Sequence, residues 1–180
     1  VRAGSRNASG TETGLADRTG DRMREGTSTR AGEELAAAAA GMGGNLAVNV
    51  GADQTTIAGD VLEEATPDFV RLVADVARNP RFPASEIERL KANRVRQLSV
   101  SKRQPNSITQ EKFRQVMYPD HPYGRLFPTP DMLNGYTVEQ VRAFHAANFG
   151  AARAQLYVVG RFDAAKVEAA ARAALGDWAR

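Results

Sequence analysis

Asp17, Asp21 and Glu25 stand one helical turn apart in the stretch Thr13–Gly26, with Arg18, Arg22 and Arg24 interleaved between them. On a helix, side chains at i and i+4 aim at one point, which is how helical metal sites present two ligands together. Three carboxylates suit a hard cation that takes several oxygens. Zinc prefers nitrogen and sulfur, and this helix has neither histidine nor cysteine to offer it. The same residues also make a solvated face of mixed charge, with Arg18 pairing Asp21 and Arg22 pairing Glu25 at i, i+3. The interleaving favours the solvated face.

No other constellation competes. His121 and His145, the two histidines, lie far apart, one in a proline-rich loop and the other in a helical pattern between Phe144 and Ala146. No Gly-x-Ser-x-Gly turn exposes a nucleophile beside either of them. Gly41-Met42-Gly43-Gly44 follows a helix and precedes a strand, the reverse of a phosphate loop, and a helix C-terminus repels phosphate. It is a turn.

The helix bearing the carboxylates buries Leu15, Ala16, Thr19 and Met23 at helical spacing, with Thr13 placed to cap it and Gly26 to leave it at positive φ. Thr29 is placed to cap a second helix, whose five consecutive alanines, Ala36 to Ala40, allow close approach to a sheet. Asn45–Val50 and Thr55–Val61 alternate as two strands of an antiparallel hairpin. Thr66-Pro67-Asp68 starts a helix. A long helix runs from about Pro83 to Lys102 on a stripe of Ile87, Leu90, Val95 and Leu98, and another from Pro105 to Met117. Tyr118 to Pro130 has no periodicity. Thr137 and Gln140 form a capping box. Arg153 to Gly160 reads as a buried strand centred on Leu156, Tyr157, Val158 and Val159. Asp163 caps a last helix that Gly176 stops. Helices follow strands without regular βαβ alternation, so the expected class is α+β: a mostly antiparallel sheet with helices packed on one face.

With 180 residues, 42% hydrophobic and 25% charged, the chain makes one domain with a full core. Nowhere does it approach the roughly 20 apolar residues that span a bilayer. Cysteine is absent, which excludes a disulfide framework and a thiolate metal site. The net charge of +3 is carried by dispersed arginines, without the basic face or groove-reading motif of a nucleic-acid binder.

Gly4-Ser5-Arg6-Asn7, Thr13-Gly14-Leu15-Ala16, Met23, Gly26-Thr27-Ser28-Thr29-Arg30 and His121-Pro122-Tyr123-Gly124-Arg125 together resemble the pitrilysin/insulinase (processing-peptidase-like) family. In active members Gly-Leu-Ala precedes the inverted zinc motif His-x-x-Glu-His. By that resemblance Asp17 stands for the first histidine, Gly20 for the catalytic glutamate and Asp21 for the second histidine. The distal glutamate ligand falls near Arg96-Gln97, where there is no carboxylate. The resemblance therefore implies a half of the molecule without catalytic or metal-binding residues.

It further implies a half-clamshell domain that walls a peptide-enclosing chamber. No cofactor is expected in it, and zinc belongs to a partner half in the same chain or a separate subunit. The alternative is a structural homologue, like the core subunits of a respiratory complex, with no proteolytic role. By the same resemblance Val1–Ser5 would be the end of a strand with another strand before it, so residues 1–180 are expected to be one domain of a longer chain, cut at its N-terminus. A sheet missing that neighbour leaves an edge open for pairing with a copy of itself or another segment, with 45–50 and 153–160 the expected surfaces. Many arginines and alanines with few lysines suggest a GC-rich bacterial source, and exported relatives favour the periplasm.

Overall fold

The computed structural model describes residues 1–83 and 87–178. The carboxylate-bearing helix, α1 (Leu15–Met23), buries Leu15, Ala16, Thr19 and Met23 as its spacing requires. Its floor is a two-stranded antiparallel hairpin, β1 (Ala47–Val50) and β2 (Thr55–Ala58), with Val48 opposite Ile57 and Val50 opposite Thr55. The hairpin places Val48 in the core and Asn49 in water, so alternation sets the register. Helix α2 (Gly32–Gly41) precedes it, and α3 (Thr66–Arg78), with Pro67 in its first turn, follows.

The remaining helices are α4 (Ile87–Ser101), α5 (Pro105–Met117), α6 (Pro130–Gly135), α7 (Val138–Asn148) and α8 (Ala164–Leu175). Both bonds of the α7 capping box form: Gln140 N–H donates to Thr137 Oγ1 at 3.3 Å and Thr137 N–H to Gln140 Oε1 at 2.9 Å. With its start pinned, α7 buries Val138, Val141 and Phe144 and lies along α1. Helix α3 packs on α8, where Val70 meets Val167 and Ala170. Asp163 caps α8 by accepting from Lys166 N–H at 3.1 Å.

Several expectations are corrected. Among the described residues the only regular sheet is the hairpin, so a mostly antiparallel sheet overstates the strand content. Residues 154–159 run without a ladder, and Leu156, Tyr157 and Val159 are 43%, 77% and 95% exposed rather than buried. Apolar side chains mark strand propensity, but a strand also needs a hydrogen-bonding neighbour. Gly14, in the left-handed region at φ 91°, precedes α1, while Thr13 Oγ1 turns back to Gly10 O. Ala31 precedes α2, its N–H held by Glu34 Oε2 at 2.7 Å, because the Thr29 hydroxyl is committed to Asp75. Of the α2 residues only Leu35 and Ala39 are buried, so the alanine run is largely a solvent face. Helix α6, hidden in the proline-rich stretch, starts where Thr129 Oγ1 accepts from Met132 N–H at 3.2 Å. In α4, Leu98 is buried and Val95 half-buried, while the Ile87 and Leu90 side chains lie outside the described residues, as do 84–86. No helix among the described residues is long and apolar enough to cross a membrane.

Candidate functional site

Asp17 and Asp21 face α4, and a guanidinium from α4 meets them. Arg94 grips Asp21 with two parallel bonds, Nε to Oδ2 at 2.5 Å and Nη2 to Oδ1 at 2.8 Å. Its Nη2 also lies 3.9 Å from Asp17 Oδ1. This fork-to-fork geometry is the strongest arrangement open to an arginine and a carboxylate. Burial works against the Arg94 charge, but the Asp21 hydrogen bonds and the charges of Asp21 and Asp17 outweigh it and raise its pKa. Desolvation raises the Asp17 pKa, Arg94 opposes that, and the neighbouring Asp21 adds to it.

Of the two distal positions, Gln97 adjoins this pair, its Oε1 3.4 Å from Arg94 Nη1. Arg96 turns away to Asn93 Oδ1 at 2.7 Å and is exposed. A cleft of about 180 Å³ opens beside the pair, lined by Asp17, Arg94, Gln97, Leu98, Phe127 and Leu133. Arg94 was not singled out from the sequence. The available signal was its position three residues before Gln97, on the same face of the long helix.

Gly20 lies on the flank of α1 beside Asp17, buried against β1. A Cβ built there would sit 2.4 Å from Val50 Cγ2, so the helix rests directly on the strand. A short branched side chain cannot swing clear, and a glutamate at this position would have to move the hairpin.

Two of the three interleaved arginines are not on a solvated face. Arg18 and Arg22 are each 1% exposed. Arg18 Nη2 donates to Leu133 O at 2.7 Å, and its guanidinium lies 5.8 Å from the centre of the Tyr136 ring. Burial, the neighbouring Arg22 charge and Arg94 pull the Arg18 pKa down to about 10. Three Arg22 nitrogens, Nε, Nη1 and Nη2, have no hydrogen-bond partner, and burial lowers its pKa as well. The expected Arg18–Asp21 and Arg22–Glu25 pairs are not what organises this helix; Arg94 is.

Neither histidine joins the site. His145 Nε2 lies 2.9 Å from Ala77 O, the ring stacks on Phe149, and burial lowers its pKa. His121 Nδ1 accepts from Tyr123 N–H at 3.2 Å and orders its loop. A zinc ion does not suit these donors: Asp17 and Asp21 already face an arginine, and no group of three histidine, cysteine, aspartate or glutamate side chains among the described residues could hold a metal.

The family model described as Insulinase (Peptidase family M16) matches residues 1–131. The chain belongs to the M16 peptidase family. A second M16 model, described as the Peptidase M16 inactive domain, matches residues 135–180. An uncharacterized zinc protease of Rickettsia felis is 25% identical over 172 residues, covering 95% of this chain and 42% of that protein. Another from Mycobacterium leprae is 27% identical over 164 residues, covering 91% of this chain and 37% of that protein. The chain thus spans about two fifths of the length of these relatives. By fold, it matches a Helicobacter pylori protease with a TM-score of 0.91 at 19% identity, over 99% of this chain and 44% of that one. It matches the periplasmic protease PqqL of Escherichia coli with a TM-score of 0.86 at 16% identity, over 99% of this chain and 21% of that one. Asp17, Gly20 and Asp21, the positions that the resemblance sets against the zinc motif, thus lie within the matched residues, in a helix whose carboxylates face Arg94.

Proposed function

We propose that this chain is a non-catalytic M16 domain that forms part of the wall of a peptide-enclosing chamber, beside a zinc-bearing half in the same longer chain or in a separate subunit. The observation that carries this reading is the Arg94 guanidinium clasped between the two α1 carboxylates. A positive group stands where an active relative would need donors for a cation. Gly20 offers no carboxylate to take a proton from water, which removes the general base that metal-assisted hydrolysis uses. The positions Arg96 and Gln97 add no carboxylate either. Zinc is accordingly assigned to the partner half and no cofactor to this domain. The fold likeness to a periplasmic protease supports the periplasm as the compartment.

The test is metal analysis and cleavage of an unstructured peptide by this chain alone, and then with the zinc-bearing half present. The expected result is no stoichiometric zinc and no cleavage alone, with cleavage appearing in the complex. Metal-dependent cleavage by the chain alone, abolished by Asp21→Ala, would overturn the assignment. A complete complex that cleaves nothing would instead favour the purely structural role. Grafting Asp17→His, Gly20→Glu and Asp21→His is expected to give no activity, since Val50 blocks position 20 and the distal carboxylate is still missing.

A further inference from the structure

Helix α5 ends with its last turn unpartnered. Pro119 has no N–H to return to Gln115 O, and the carbonyls of Gln115, Val116 and Met117 accept from no described residue. Such carbonyls point past the C-terminus of a helix and leave a partial negative charge there. Arg114, the cation of that last turn, donates to none of them. The chain then turns back through Pro122–Gly124, and a shallow recess of about 510 Å³ opens at the helix end, lined by Met117, Tyr118, Pro119, Asp120, His121 and Tyr123.

Three rings wall this recess and are fixed by one another. The Tyr118 and Tyr123 planes stand at 89° with centres 5.7 Å apart, and the His121 ring stands at 72° to Tyr123 with centres 4.5 Å apart. Because His121 Nδ1 accepts from Tyr123 N–H, the neutral ring carries its proton on Nε2. Tyr123 Oη donates to Asp53 Oδ1 at 2.6 Å, and Asp53 also pairs Arg6 at 3.1 Å, so those two charges answer each other. Asp120 differs: its carboxylate has no hydrogen bond or ion pair among the described residues. Free helix-end carbonyls, an unpaired carboxylate and aromatic faces share one preference, which is for a cation. Exposed Met117 adds a flexible thioether against which an aliphatic stem can lie. A guanidinium fits this set better than an ammonium. It can stack flat on a ring while its fork reaches the carboxylate and its remaining N–H groups reach the carbonyls.

We propose that this recess binds an arginine side chain of a peptide segment that carries an apolar residue two positions away from that arginine. The second requirement comes from α5 itself. Phe113, exposed, stands one turn before Met117 on the same face. Four residues of helix rise about 6 Å, which an extended peptide covers in two residues at about 3.3 Å each. Two residues is also the spacing that puts side chains on one side of an extended chain. Asp17, Asp21 and Arg94 do not line the recess, so the inference is independent of whether the domain is catalytic.

Binding of capped, fluorescently labelled peptides to the full-length parent protein, read by anisotropy, tests it. The probe is Leu-Ser-Arg-Ser-Leu, which offers an apolar residue on either side of the arginine. Replacing its arginine by glutamine is expected to weaken binding about tenfold or more, and replacing it by lysine about threefold. In the protein, Asp120→Asn is expected to weaken the arginine peptide about two- to fivefold with Tm unchanged, and to leave the glutamine peptide unaffected. Phe113→Ser should weaken the leucine-bearing peptide and not its serine-substituted counterpart. A glutamine peptide that binds as well as the arginine one, or an Asp120→Asn protein that binds the arginine peptide undiminished, would overturn the proposal. Equal affinity for the lysine peptide would overturn the choice of arginine.

Discussion

Replacing Arg94 by leucine strips the counter-charge from a carboxylate that has little water to fall back on. The Asp21 side chain is 17% exposed and that of Arg94 27%, so the pair lies between the buried and surface regimes. Removing one partner of a buried pair costs about 3–5 kcal/mol, and of an exposed pair about 0–1 kcal/mol. The intermediate exposure and the bidentate geometry put Arg94→Leu near about 2–3 kcal/mol. Arg24, 3.7 Å from Asp21 and 51% exposed, recovers little of this. Asp21→Leu loses a similar amount, because Arg94 is then left with Asp17 at 3.9 Å. The double replacement removes both charges, and exchanging a buried pair for apolar side chains is close to neutral.

For a chain of this size each kcal/mol moves Tm by about 2–4 °C. The single variants are therefore expected to melt roughly 4–12 °C lower, with the double variant within about 4 °C of the original. Urea titrations of the four proteins near pH 7 close the cycle. If the two single losses simply add in the double variant, leaving a coupling below about 0.5 kcal/mol, Arg94 is not the element that neutralises this helix face.

Arg22→Met should stabilise the protein by about 1–4 kcal/mol, since it replaces a buried cation lacking hydrogen-bond partners with an apolar chain of similar length. A loss of stability in the same denaturation assay would show that Arg22 has a partner in solution. Gly20→Ala should cost about 1–3 kcal/mol through the Val50 contact, despite alanine's better helix propensity, with partial recovery on adding Val50→Ala. Unchanged stability in Gly20→Ala would mean that the hairpin yields freely. Asp75 is driven toward protonation by burial, but hydrogen bonds from Thr27 at 2.6 Å, Asn79 at 3.0 Å and Thr29 at 2.7 Å, with the Arg30 charge, win and depress its pKa. The unfolded chain therefore binds the proton more readily, so this contribution is full above the ordinary carboxylate range and is lost as pH falls through the depressed folded pKa. Asp75→Asn should flatten that acid limb, and an unchanged pH–stability curve would contradict it. A strong chelator should leave Tm unmoved at neutral pH, and a drop of several degrees reversed by zinc would refute the site described above.

Local signals read well where one residue type has one physical job. The α7 capping box, Pro67 in the first turn of α3 and the alternating hairpin all appear as their residues require. The apolar stripe of α1 is also legible, because Leu15, Ala16, Thr19 and Met23 leave one face to bury. The opposite inference, that Arg18 and Arg22 must lie in water, fails. Their exposure is decided by what packs over the helix, and α7 with Leu133 and Tyr136 covers that side. Pattern analysis places charges outside by default, so it cannot foresee a buried guanidinium. The 153–160 stretch fails for a related reason: its strand propensity is local, whereas the ladder that would realise it depends on backbone elsewhere.

The same distinction explains why Asp17, Gly20 and Asp21 stand out in the sequence and Arg94 does not. Asp17, Gly20 and Asp21 are read within one helix, by spacing alone. Arg94 matters only because α4 lies across α1, a relation that no window along the chain contains. Once that relation is known, these residues fit together physically. Two carboxylates one turn apart and partly withdrawn from water need a cation, and an arginine delivers it with its own covalent tether. An ion would have to be captured from solution, whereas the tethered cation joins α1 to α4 at neutral pH without any metal. Its fork occupies both oxygens of Asp21, so the donors that would have to turn toward a metal are already committed. Gly20 adds a close contact: without a side chain there, the helix rests on Val50 and packs against β1 at a distance that a Cβ would meet at 2.4 Å. What is a catalytic surface in an active relative is, in the proposed reading, a packing surface here.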